Sequence, residues 1–388
     1  MAHFVRPLVL AESLDPSLYD IHFYAPPRFA HYLKGSRFAI GELPTMPGER
    51  FLENIANGKP AFPADVIRAY VKQDRELITK LRPDLVIGDM RLSLPISARL
   101  EGALSAVMIN AYWSPYTRHR SILPTLPLTR IVPPRWLHLV YKFAEPRVYA
   151  AHVGEMNLVR KEFGIPALPA DLRAMYTEGS YVLYPDIPEF VPARNLPVNH
   201  RYVGICQWTP PTPKPDWWER MCADPKPKVF VSLGSSGPLH VLPSLLKALS
   251  KLPVSVIAST SGRPTPGLGP EAYAADLLPF TETAGHASVV VSHGGSGGLY
   301  PAIAAGTPVL GIPSNADQHL STAVLEESGA GLGVRVEEAT GKRLLRALEK
   351  LLFDPQFQRS AEHWATVYSR HDSGEMFRSF VSGTLDVG

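Results

Sequence analysis

The stretch that most constrains this chain is a short apolar run ending in glycines. Ser288–Ser292 (SVVVS) is β-branched and unbroken, as a strand buried on both faces must be. It runs into His293 and then Gly294, Gly295, Gly297 and Gly298. A helix is expected next, then a strand at Val309–Ile312 and a second helix from about Gln318. Buried strands alternating with helices call for a parallel sheet with crossover helices.

The same pattern precedes it. Lys228–Leu233 (KVFVSL) reads as a strand closing on the turn Gly234–Gly237, followed by a helix at about Leu239–Lys251 and a strand at Val254–Ala258. In the first half, Tyr19–Tyr24, Asp84–Gly88 and Ala106–Asn110 read as strands, and Ala64–Leu81 has helical spacing. The chain is thus expected to be α/β, with two Rossmann-like doubly wound domains. Its 388 residues fit that number. Thr209–Pro215 carries four prolines in seven residues and reads as a stiff connector. The expected division is 1–208, a linker at 209–227, and 228–388. The helical, amphipathic stretch from about Pro355 is expected to end packed back on the first domain. Met1–Leu14 reads as loop then helix where a doubly wound domain opens with a strand, so a first strand of about ten residues is expected to be missing.

Charge and cysteine content narrow the class. A net charge of +3 without a clustered basic run argues against nucleic acid as partner. Cys206 and Cys222 are too few for a disulfide framework and have no metal-ligand neighbours. No apolar run reaches the ~18 residues of a membrane span, and the start lacks the features of a signal peptide. Cytoplasmic residence follows by default. Prolines around Pro124–Pro134 and Pro166–Pro197 imply long irregular loops.

The glycine turns carry the chemistry. A strand ending in glycines lets backbone approach a ligand, and the next helix offers unpaired N–H groups with partial positive charge. That combination suits a phosphate or diphosphate. His293 could donate to the same group, and Ser235 and Ser236 repeat the logic in the earlier turn. There is no G-x-x-x-x-G-K-[ST], and Gly295-x-Gly297 is only part of a dinucleotide fingerprint. Tight turns without a ligand are the alternative.

The residues that follow add a resemblance. Ser292–Gln318 (SHGGSGGLYPAIAAGTPVLGIPSNADQ) resembles the donor-binding signature of family 1 glycosyltransferases, the UDP-glycosyltransferase-like enzymes, through His293, Gly294, Gly295, Gly306, Pro308, Pro313, Asp317 and Gln318. The resemblance implies the GT-B fold, its two domains facing a cleft. It implies that His293 and the backbone of Ser296, Gly297 and Gly298 hold a diphosphate, and that Asp317 and Gln318 bond sugar hydroxyls. Ala2–Leu14 (AHFVRPLVLAESL) is similar to the family's GH-x-x-P segment, with Ala2 for Gly and one extra residue before Pro7. By the same resemblance His3 is the general base and Asp89 its orienting carboxylate. An imidazole beside a carboxylate suits that task. Helix N–H groups and His293 would offset the leaving group's charge without metal or other cofactor, since no D-x-D pair is present. Pro301 stands where the family usually has a ribose-binding Glu, and Leu277–Phe280 where a Trp often stacks on the base. UDP and dTDP both stay open.

The acceptor is expected on the first domain. Tyr112 and Trp113, in Asn110–Thr117, offer aromatic surface for an apolar or aromatic small molecule or lipid. Arg130–Lys142 (RIVPPRWLHLVYK) is apolar with basic flanks, as a weak peripheral membrane contact would be. The competing readings are a non-catalytic nucleotide-sugar binding protein of the same fold and a sugar-nucleotide epimerase.

Overall fold

A computed structural model describes residues 2–209, 212–234, 237–263, 267–269 and 271–385. The chain forms two compact units. The first comprises Met1–Ser121, Arg135–Trp208 and His371–Gly388; the second comprises Ile122–Pro134 and Thr209–Arg370.

In the first unit, strands β1 (His22–Ala25) and β2 (Ala39–Glu42) form a parallel pair. Strands β3 (Leu85–Asp89), β4 (Leu104–Met108), β5 (Tyr181–Tyr184) and β6 (His200–Tyr202) form a parallel sheet in that order. The helix Ala64–Leu81 forms as its spacing predicts, starting after Pro63 and ending at Arg82 in the left-handed conformation. It buries Val66, Ile67, Tyr70, Val71 and Ile78 on one face. The helix Ser373–Leu385 and the helix Ala2–Ser13 pack on this sheet through Phe377, Phe380, Val381 and Leu10, against Ala106, Met108 and Leu183. The first segment is therefore helical from Ala2, with no loop at His3. Pro7 sits inside that helix; its missing N–H leaves the His3 carbonyl without its usual helical donor.

The second unit holds β7 (Lys228–Ser232), β8 (Ser255–Ser259), β9 (Tyr273–Ala275), β10 (Val289–Ser292), β11 (Val309–Gly311) and β12 (Gly331–Gly333). They form one parallel sheet ordered β12-β11-β10-β7-β8-β9. That is the doubly wound order, reversing between β7 and β10. Val229, Val231, Val289, Val291 and Leu310 fill one face, under Leu245 and Leu249 of one helix and Leu344, Leu348 and Leu351 of another. Spacings of four and three residues put those three leucines on one stripe of the helix Gly341–Phe353.

Candidate active site

In the first unit the functional groups gather at the carboxyl ends of the parallel strands. Asp89 closes β3 and pairs in register with Met108 of β4. Met90, with φ of 52°, turns the chain sharply right after it. The left-handed region is uncommon for a non-glycine residue, and here it redirects backbone beside a buried carboxylate. His3 Nδ1 lies 2.7 Å from Asp89 Oδ1, across 86 positions of sequence. The Asp89 side chain is 1% exposed and that of His3 59%. With Nδ1–H donating to the carboxylate, Nε2 carries the lone pair of the neutral ring and is the nitrogen left to take a proton.

Arg6, three residues on in the same helix, was not singled out from the sequence. Its Nε donates to Asp89 Oδ2 at 2.7 Å and its NH2 to Oδ1 at 2.6 Å. NH1 donates to Asn110 Oδ1 at 2.6 Å. NH2 also lies 3.0 Å from His3 Nδ1. A guanidinium only donates, and Nδ1 already donates, so this third edge is proximity and no bond. Burial pushes the Asp89 carboxyl upward, but the charges and hydrogen bonds of Arg6 and His3 outweigh it and hold the group below the usual carboxylate range.

Tyr112 and Trp113 do not form an open aromatic platform. They sit in a short turn at 3% and 7% exposure, Trp113 edge-on to Tyr176. The turn must bury them because Asn110 and Ala111 are tied inward to Asp186. The exposed aromatics of this unit include Trp136 and Phe143, on the helix Pro134–Glu162.

In the second unit, both glycine turns lie where the strand order reverses. Ser232 and Ser292 are register partners, so Gly234 and His293 follow side by side. Gly234 has φ of +62°, and a Cβ there would stand 3.2 Å from His293 Cε1. Gly294 has φ of +79°, and a Cβ there would overlap Thr322 Oγ1. Neither position accommodates a side chain without strain. The helix Ser296–Ala304 starts at Gly295 with no side-chain cap, while the Gly298 N–H donates to Gly295 O at 3.0 Å and the Gly294 N–H to Ser292 Oγ at 3.1 Å. Gly297 and Gly298 lie in that turn. Ser235 and Ser236 lie outside the described residues.

His293 Nδ1 is buried and meets no hydrogen-bond partner among the described residues. Burial pushes the imidazole down to about 4, with Asp317 opposing and Arg263 adding to the fall. His293 is therefore a neutral imidazole at pH 7. The nearby cation is Arg263, which donates to the carbonyls of Gly234 and Gly237.

Asp317 lies in the first turn of the helix Ala316–Glu327. Asn315, whose side chain accepts from Gln318 N at 3.0 Å, is the cap. Asp317 is thus not needed to cap the helix. Gln318 is 3% exposed, and its Oε1 accepts from Ser314 N and Ser314 Oγ, each at 2.9 Å. That leaves its NH2 as the half available to a hydroxyl. The segment Ile122–Pro134 was expected in the first domain but groups with this unit. Arg335 donates to Leu123 O at 2.9 Å, and Thr125 Oγ1 lies 3.3 Å from His319 Nε2, next to Gln318.

Residues 164–372 match the model of the UDP-glucoronosyl and UDP-glucosyl transferase family. The chain belongs to that family. It is 40% identical over 375 residues to a PGL/p-HBAD biosynthesis glycosyltransferase of Mycobacterium tuberculosis, covering 96% of this chain and 87% of the relative. It is 38% identical over 375 residues to a PGL/p-HBAD biosynthesis rhamnosyltransferase of Mycobacterium bovis, covering 96% of this chain and 83% of that one. Among solved structures it resembles the glycosyltransferase VinC in complex with dTDP, at a TM-score of 0.67 and 19% identity, over 100% of this chain and 97% of that one. The protein is a glycosyltransferase of GT-B fold. No helix among the described residues is long and apolar enough to cross a membrane.

Proposed function

We propose that this glycosyltransferase moves a sugar, with inversion, from a UDP- or dTDP-sugar to a hydroxyl of an apolar or aromatic acceptor. The carrying observation is the His3–Asp89 pair, with Nδ1 bound to the carboxylate and the ring more than half exposed. His3 Nε2 takes the acceptor's proton as the acceptor oxygen bonds to the anomeric carbon. The bond from that carbon to the diphosphate oxygen breaks, and the nucleoside diphosphate leaves with the electron pair. Asp89 holds the ring and stabilises the imidazolium. The backbone of Ser296, Gly297 and Gly298, with the neutral N–H of His293, binds the diphosphate, and the turn at Gly294 and Gly295 lets it approach closely. Asp317 accepts from sugar hydroxyls, and the Gln318 NH2 donates to them. No metal takes part in this reading. The names of the relatives and the dTDP in the VinC structure support trying rhamnose and dTDP beside glucose and UDP.

Two further points belong to the proposal. The unpaired Cys206 and Cys222 support cytoplasmic residence. A peripheral membrane contact along Arg130–Lys142 is supported by Trp136, Leu139, Val140 and Phe143, which form one exposed stripe beside Arg135 and Lys142. Sedimentation with anionic but not neutral phospholipid vesicles, weakened in Phe143→Ser, is the expected result; wild-type protein that ignores both vesicles refutes the contact.

The test of the reaction is the product itself. The chain is incubated with UDP-glucose or dTDP-rhamnose and a panel of phenols and long-chain alcohols, with EDTA present. A glycoside of inverted anomeric configuration by NMR is expected; retained configuration contradicts the single displacement. Conversion of the donor without any acceptor would support the epimerase instead.

A further inference from the structure

The segment between His3 and Pro7 is one residue longer than the family pattern, and Arg6 lies within it. In the helix Ala2–Ser13 the three-residue spacing puts His3 and Arg6 on one face. Arg6 is 6% exposed, and its guanidinium is committed to two strand ends. Two N–H groups fork onto the Asp89 carboxylate after β3, and a third reaches Asn110 after β4. Asn110 Nδ2 passes the chain of bonds on to Asp186, at 3.2 and 3.3 Å, beyond the end of β5.

We propose that Arg6 is a positioning residue for His3: it fixes the plane of the Asp89 carboxylate so that Oδ1 meets His3 Nδ1, and it supplies the positive charge that a buried carboxylate requires. The proposal rests on His3 being the base. A planar fork sets both the distance and the rotation of a carboxylate, which an ammonium cannot do. The charged and titratable groups around Asp89 are His3 and Arg6 from the helix, with Tyr112, Asp186 and Cys206 from the surrounding segments. Arg6 is the permanently charged cation among them. Removing it leaves Asp89 with burial pushing its proton affinity up and only His3 opposing.

The experiment uses the full chain as Arg6→Lys, Arg6→Met and His3→Ala, with 4-methoxyphenol, which stays protonated at neutral pH, as probe acceptor and whichever of UDP-glucose and dTDP-rhamnose is turned over. Arg6→Lys keeps the charge and loses the fork; kcat is expected to fall at least about tenfold, with KM for the donor within about twofold of wild type. Arg6→Met is expected to move the acid limb of the kcat/KM profile up by about one pH unit. A purely structural role would lower thermal stability and leave that limb in place. Wild-type kcat in Arg6→Lys, or an unmoved limb in a folded Arg6→Met, overturns the proposal; if Arg6→Met does not fold, Arg6→Lys decides. Retained turnover in His3→Ala means that the base is misassigned and the Arg6 proposal falls with it. Lost turnover in His3→Ala beside wild-type turnover in Arg6→Lys sinks the Arg6 proposal alone.

Discussion

Gly294→Ala probes whether the glycine turn after β10 is built for close approach. The residue sits at φ of +79°, where a Cβ costs ~1–2 kcal/mol relative to glycine. The new methyl would also overlap Thr322 Oγ1, itself buried without a hydrogen-bond partner among the described residues. Overpacking of this kind costs ~1–3 kcal/mol. The sum is about 3 kcal/mol, or a fall in melting temperature of roughly 6–12 °C for a domain of this size. Because Thr322 Oγ1 makes no hydrogen bond among the described residues, Thr322→Ala frees the space without breaking one. The double variant Gly294→Ala/Thr322→Ala should regain about 1–2 kcal/mol over the value expected from adding the two single changes. The assay is urea unfolding of all four proteins, followed in the second unit. A Gly294→Ala cost below about 0.5 kcal/mol, or strict additivity, would refute the steric argument.

Three further outcomes are expected. Asp89→Asn should lower kcat by at least about a hundredfold through misorientation of His3, and should destabilise by about 3–5 kcal/mol because Arg6 is left buried without its carboxylate; turnover kinetics and urea unfolding check both. Acid should destabilise the protein as pH falls from about 6.5 to about 4, because burial holds His200 and His293 down to about 4 and His319 to about 3. Each takes up its proton more readily when unfolded, so its stabilisation is present above the unfolded value and lost on the way down. His319→Gln should flatten that slope, and a wild-type melting temperature constant between pH 7 and 4.5 would contradict the assignment.

The strands around the glycines were legible because β7 and β10 are short, β-branched and buried on both faces, which leaves no helical reading. Their adjacency was not, since it depends on the sheet order reversing between them. The helix Ala64–Leu81 was legible from its spacing. Strands β5 and β6 were missed because Tyr181–Tyr184 and His200–Tyr202 are three or four residues long and lie in a proline-rich stretch. Pro7 hid the helix Ala2–Ser13, although proline is tolerated there once neighbouring packing holds the turn. His3 and Asp89 were connected only through family resemblance, since 86 positions separate them. Arg6 carried one signal, the longer spacing before Pro7. The placement of Ile122–Pro134 depends on contacts such as Arg335 with Leu123, 212 positions apart, which no local pattern records.

The most direct measurement is single-turnover sugar transfer by wild type and His3→Ala, at equal donor saturation and with thermal unfolding as the folding control. His3 is largely exposed, so the variant should melt within about 2 °C of wild type while the transfer rate falls by ~10²–10⁴. A folded His3→Ala that transfers at the wild-type rate would contradict the central claim that this imidazole removes the acceptor's proton.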